Sequence, residues 1–441
     1  SLDITGNAKI DGNLTLGGAI TIGDNSSDTV NVIASLSSSL IPSITNIFDL
    51  GSATKIWRDL YISTGSIKIV NPGTGTVVGT LSSNANGDFN AAGAISSSTI
   101  TGIGNVSLGY GTLQTNIIGN FSTAIGYRAL LNSKSDKNTA IGAETMFVNQ
   151  TGTFNTVLGQ EALRASVAGS YNSIVGNFSL LNAEASYVSA LGRDAGRFSS
   201  AGNLLTANES IFIGFAAAGS GTKTNATDGT VAIGKSSLGS LTSGAGNIAI
   251  GLQSLDALTE AADNLAIGFG ALTTSSNVNA ARNIAIGNYA TELLNSDGRD
   301  NIAIGYEALE TANHADIDGN IAIGNYVLDA VGSAGVWACV GVGYNALTSV
   351  NNAGAVGSTA IGYRTLTTLT SGAGNTAVGF ESLKSENDGS RNTAIGYKAL
   401  TALNTSAGNG QTTAVGFEAG MDASTGINNT FVGSIILEIF Y

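Results

Sequence analysis

Proline is almost missing from this chain: Pro42 and Pro72 are the only two in 441 residues. A proline lacks the N–H that a continuous backbone ladder needs, and none occurs after residue 72. One cysteine, Cys339, excludes an intrachain disulfide framework. One histidine, His314, means that any Ser–His–Asp or Cys–His arrangement would have to use it. Charged residues make up only 11% and aromatics 6%. No run of Lys or Arg is visible, and the net charge is 18 − 31 = −13. Phosphate neutralisation is therefore disfavoured as a binding mode, and no nucleic-acid partner is expected. The acidic balance also disfavours anionic membrane surfaces. No apolar run approaches the length of a membrane span, so no membrane insertion is expected, and no signal peptide is visible.

Glycine, by contrast, is abundant, with 60 copies. Nineteen of them close a short motif, at positions 109, 126, 142, 159, 176, 192, 214, 234, 251, 268, 287, 305, 324, 343, 362, 379, 396, 416 and 433. Successive spacings run from 16 to 22, and Ile, Leu or Val precedes every one of these glycines. Asn301-Ile302-Ala303-Ile304-Gly305 is a clean copy. Others carry Asn138, Ile141 and Gly142; Asn247, Ile250 and Gly251; Asn320, Ile323 and Gly324; and Asn392, Ile395 and Gly396. A repeat of this length is one supersecondary unit, stacked on its neighbours.

Read with a period of two, the motif has two faces. Thr139 and Ile141, or Ile302 and Ile304, form an apolar or β-branched face suited to burial. Ala303 and Gly305 form a small face that lets another backbone approach. The motif predicts a five-residue strand, then a turn, a shorter strand ending in a residue such as Leu130 or Leu383, and a Gly/Ser/Asn/Thr return loop. The fold class is therefore all-β, a parallel β-solenoid. At about 4.8 Å per coil, nineteen coils make a rod roughly 90 Å long. Twelve of the nineteen first motif positions are Asn. Asparagine there serves either as a turn residue that tolerates the left-handed conformation or as a rung in a stacked side-chain ladder.

Three regions follow. Residues 101–433 are the repeat array. Residues 1–100 are a β-rich attachment or connector region, in which Trp57 caps a small core or stacks on a ligand. Residues 434–441 are an apolar terminal strand, suited to pairing across chains.

Catalytic patterns are weak. His314 lies in a polar turn with Asp316, Asp318 and Asn320, which lacks the downstream Glu of a calcium loop. Asp297-Gly298-Arg299-Asp300 reads as another soluble acidic turn. Glu307 and Glu310 are scattered rather than paired across a sugar site. Gly234-Lys235-Ser236 has no phosphate-loop context, because its glycine belongs to the repeat. Cys339 sits at a first motif position and reads as a small buried residue. No enzyme activity, cofactor or metal is expected.

The Asn-x-Ala-Ile-Gly repeats resemble the head repeats of trimeric autotransporter adhesins, a repeat type shared with phage tail-fibre-like proteins. The stretches Gly12-Asn13-Leu14-Thr15-Leu16 and Asp49-Leu50-Gly51-Ser52 with Trp57-Arg58-Asp59-Leu60-Tyr61 are similar to segments of structural proteins of marine tailed phages. The resemblance implies a left-handed β-roll, a homotrimeric fibre and attachment to a cell surface. The small Ala/Gly face is the expected second packing surface for trimerisation. With neither a coiled-coil stalk nor a membrane barrel in the chain, the expectation leans to a phage tail fibre or virion appendage. Its N-terminal region would join a virion or baseplate, and its variable turns, 193–210 and 215–230, would meet a host glycan or protein. The alternatives are a bacterial adhesin passenger and a self-assembling extracellular filament. A polysaccharide depolymerase is the enzymatic alternative. Each would place the protein on a virion surface or outside the cell.

Overall fold

The computed structural model describes residues 103–435, except the segments 115–118, 198–204, 207, 220–226, 274–279, 295–297, 313, 315–316, 332–334, 352–354 and 406–409. Upstream it describes residues 9–13, 15 and 17 and the strands Ser66–Val70, Val77–Ser83 and Phe89–Ala92, which pair antiparallel in that order. The expectations for Trp57, for most of the phage-like stretches and for the terminal strand beyond Ile435 lie outside the described residues, as do parts of both long turns.

From Val106–Leu108 to Thr430–Val432, nineteen three-residue strands stack in parallel, each in register with the next. Thr139, Ala140 and Ile141, for example, lie beside Thr156, Val157 and Leu158. The first strand pairs only with the second and the last only with its predecessor, so the stack is an open ladder. Among the described residues there is no helix. The chain is an all-β parallel solenoid.

Where the sequence predicts a shorter strand ending in a residue such as Leu130 or Leu383, the described residues form turns, and a second pairing occurs only between Ala183–Glu184 and Leu205–Thr206 and between Ile317–Asp318 and Val336–Trp337. After each motif glycine, residues alternate in handedness. Gly142 has φ 136°, Glu144 53° and Met146 51°. That alternation turns successive amides in opposite directions along the axis. The Glu144 N–H donates to Tyr127 O on the preceding coil (2.7 Å), and the Met146 N–H donates to Ala162 O on the following one (3.0 Å). Left-handed geometry costs a non-glycine residue about 1–2 kcal/mol. The inter-coil bonds offset it, since a buried amide without a partner costs more still.

Glycine at the motif position answers two demands at once. Its φ lies in the region that disfavours side chains, and a Cβ on Gly142 would sit 2.5 Å from Gly159 O. The close backbone approach is therefore coil on coil within one chain.

The two strand faces are the reverse of the sequence expectation. The middle residue points inward: Ala140, Ala249, Ala303 and Ala394 are fully buried. The Thr/Ile face points outward, and Ile395 is 41% exposed. The reason is room. Leu130, Met146, Leu163 and Leu180 enter the narrow interior from the turn half of each coil and are fully buried. Only a small residue fits opposite them. Where the middle residue is Phe, the turn side is Gly: Phe212 faces Gly196, and Phe431 faces Gly420.

Candidate functional site

The asparagines of the motif are inside the roll, and they form ladders. Asn138 Oδ1 accepts both the backbone N–H (3.0 Å) and the side-chain amide (3.0 Å) of Asn155. Asn155 serves Asn172 in the same way. A second run joins Asn247, Asn264, Asn283, Asn301 and Asn320, and ends where Asn320 Oδ1 accepts the Cys339 N–H. A third links Asn375, Asn392 and Thr412. Most of these amides also donate to a main-chain carbonyl, as Asn301 does to Ile317 O (2.7 Å), while Asn392 donates to the Glu386 carboxylate (3.3 Å). These residues position backbone and are closed to a partner.

Cys339 is buried, its thiol donating to Ala355 O. Burial pushes its pKa up, away from the thiolate a nucleophile needs. His314 is half-buried in its turn, whose neighbours 313, 315 and 316 lie outside the described residues. Ser236 sits in the left-handed turn position of an ordinary coil. Among the described residues no group of three or more His, Cys, Asp or Glu could hold a metal ion.

The scattered acids are less scattered in space. Asp256, Glu292, Glu310 and Asp329 each stand five residues after a motif glycine, so they share one column along the roll. Burial pushes the Asp329 carboxyl up to about 6, with Glu307 adding to the rise. Burial also raises Glu310, helped by Glu307, Glu292 and Asp329, and burial raises Asp256. Elsewhere Glu386 is fully enclosed. It accepts bonds from Gly389 N (2.8 Å), Thr405 N (3.1 Å) and Thr405 Oγ1 (3.0 Å), tying two coils together. Burial raises its pKa while those bonds pull the other way. No pair among these acids is placed by the structure across a cleft, as glycoside hydrolysis needs.

Two surface features remain. The first is an aliphatic row. The residue before every motif glycine faces outward, including Ile141, Ile250, Ile304, Ile323, Ile361 and Ile395. From Ile211 to Val340 the first strand residue is aliphatic too, which doubles the row over those eight coils. The second is an aromatic row that nothing in the local sequence announced. Nine rings run in contact from Phe269 through Tyr289, Tyr306, Tyr326, Tyr344, Tyr363, Phe380 and Tyr397 to Phe417. Their centroids are 5.0–6.2 Å apart. The signal lies in residues 17 to 20 apart, one or two places after the motif glycine.

Two open depressions border the strand edge. One, about 470 Å³, is lined by Tyr187, Ser189, Glu209, Ser210 and Ile211. The other, about 410 Å³, is lined by Asp300, Asp318, Gly319, Trp337 and Ala338. In comparison with known proteins, no family model, no curated protein and no solved structure matches the chain.

Proposed function

We propose that this chain is a non-enzymatic structural fibre protein, a homotrimer whose three rolls pack through the aliphatic row and which attaches to a host cell surface as a phage tail fibre or virion appendage. The observation that carries the reading is the row itself. Eight coils at about 4.8 Å present roughly 7 Å of aliphatic strand and the other eleven about half that width, which makes a strip on the order of 450 Å². That is within the range of the largest apolar patch on a typical monomer, a patch that is often functional. The row is uncharged and repeats once per coil, in register from strand to strand. Copies of the same chain, set parallel and in register, match it along its whole length. The number three and the left-handed coil come from the resemblance to adhesin head repeats.

A fibre of this kind works by geometry. A stiff rod holds several weak contacts at a fixed distance, and avidity takes the place of single-site affinity. The reading assigns no catalytic residue and no cofactor, and places the protein on a virion surface or outside the cell. Light scattering tests the assembly: a species near three times the 44.1 kDa chain supports it, and a monomer at micromolar concentration overturns it. Binding of fluorescently labelled protein to a panel of intact bacteria tests attachment, and no binding to any strain would overturn that half.

A further inference from the structure

The aliphatic row is accounted for by self-association, which leaves the question of what touches the host. The nine-ring row is a poor sugar platform. From Tyr344 to Phe417 the rings lie within 12° of parallel, with centroids 5.1–5.6 Å apart, so they cover each other's faces. A pyranose needs a bare face for its C–H groups.

Trp337 has one. It is 51% exposed, and no aromatic ring in the described residues stacks on it. Its position is fixed by an extra pairing that few coils have. Ile317–Asp318 and Val336–Trp337 run parallel, with Asp318 directly beside Trp337. Val336 points inward and is fully buried, which turns Trp337 outward. Ala338 N donates to Asp318 O (3.1 Å).

The polar groups around the ring are held as well. Arg282 grips Asp300 through two bonds, 2.7 and 2.9 Å. The Arg299 N–H donates to Asp318 Oδ1 (2.9 Å), and its guanidinium stands 3.8 Å from the same atom. Gly319 lines the depression, and a Cβ placed on it would meet nothing within 4 Å. Two carboxylates and two guanidiniums bring the charge of the patch close to balance. That suits neither a cation nor an anion. It suits hydroxyls, which donate to carboxylate oxygens and accept from guanidinium N–H groups, while the indole face takes the apolar side of the ring.

We propose that the depression walled by Trp337, Asp300 and Asp318 is a subsite for a neutral sugar residue of a host-surface glycan. This rests on the attachment reading above, and in a trimer it would be presented three times. Each contact is weak, as an open surface site must be, and multivalency supplies the rest.

The chain has two tryptophans, so a Trp57→Phe background leaves Trp337 as the only indole. Its fluorescence would be titrated with cellohexaose, maltohexaose, chitohexaose and mannohexaose. The expected result is quenching or a blue shift with at least one of them, in the millimolar range. Asp318→Asn keeps the acceptor for Arg299 N–H and should weaken the response roughly tenfold. No response to any of the four, or an unchanged response in Asp318→Asn, overturns the subsite. Cell binding of Trp337→Ala, with its unfolding temperature as a control, separates the two readings. Undiminished attachment without an oligosaccharide response removes the subsite and leaves the fibre standing. An oligosaccharide response without attachment to any strain keeps the subsite and removes the attachment reading.

Discussion

The ring of Phe212 occupies the space that Gly196 leaves open: a Cβ on Gly196 would lie 2.7 Å from the Phe212 ring. In most coils the same two places hold Ala and Leu, as Ala140 and Leu130 do. Volume has been exchanged across the core with the sum roughly kept, the kind of swap that cores tolerate.

That exchange predicts a non-additive pair. Phe212→Ala alone opens a cavity and should cost about 3–5 kcal/mol. Gly196→Leu alone should also destabilise, because the ring is in the way. The double variant restores the ordinary repeat and should recover most of the loss. Gly196 already has φ 63°, close to the 51° of Leu180 at the same place in the previous coil, so the new leucine meets no unusual backbone. Denaturant unfolding of the four proteins gives the coupling energy, and simple additivity would contradict this packing.

The asparagine ladder makes a second prediction. Asn283 accepts from Asn301 N (3.1 Å) and donates to Gly298 O (2.9 Å). Asn283→Ala strips both of these buried groups of a partner. At about 1–3 kcal/mol each, the loss should be roughly 2–5 kcal/mol. Asn283→Ser should cost less, since serine holds the equivalent place at Ser122 and Ser358 and accepts the next amide there. Equal losses for the two variants would mean that the ladder contributes little.

The direction of the strand faces gives a third. Ala303 is fully buried, so Ala303→Leu should overpack the interior and destabilise the roll by about 1–3 kcal/mol or more. Ile304 points outward. Ile304→Asp together with Ile250→Asp should leave β-structure intact by circular dichroism while shifting the mass in light scattering to that of one chain. A trimer that survives both aspartates would move the packing surface elsewhere.

The raised carboxyls set a pH dependence. Asp329 titrates near 6 in the fold against 3.8 as an ordinary side chain, and Glu310, Asp256 and Glu386 are raised too. The folded protein therefore holds protons that the unfolded chain releases. The stabilisation is complete below the unfolded value and is lost as pH rises through the folded one. Asp300, lowered by its bond to Arg282, acts only below this window. The melting temperature should fall between pH 4 and about 7 and level off above, and Asp329→Asn should make that slope shallower. A melting temperature that climbs over this range would refute the prediction.

Much of this architecture is legible in the sequence because it is written at two fixed periods. The glycines at 142, 251 and 305 mark coil after coil, and the apolar residue before each marks a strand. What misleads is the sidedness of a three-residue strand. Ile304 has the chemistry of a core residue and Ala303 does not, yet the core takes Ala303. The deciding partners, Leu309 and Leu328, reach the interior from turns with left-handed backbone that local propensity does not foresee. The aromatic row and the acidic column were hidden for a related reason. Tyr344 and Tyr363 are nineteen residues apart, and Glu310 and Asp329 likewise, so each pair becomes a neighbour only once the coil length is known. Trp337 offers no sequence signal beyond its rarity.

The asparagine ladder has gaps, and the gaps bear on how a rod would carry load. Its runs end at Val188, where the side chain can no longer pass a bond upward, and resume at Asn247. The second run ends at Cys339, and the next begins with Ser358. Between them no amide relays to the next, and the main-chain bonds and packing are joined only by single side-chain bonds, such as Thr230 N–H to Ser210 Oγ (3.2 Å) and the Cys339 thiol to Ala355 O. The first gap also contains the widest spacing between motif glycines, the 22 residues from 192 to 214. Bent or pulled from its ends, the roll would behave as three rigid lengths meeting at two compliant joints, and it would yield at the joints first.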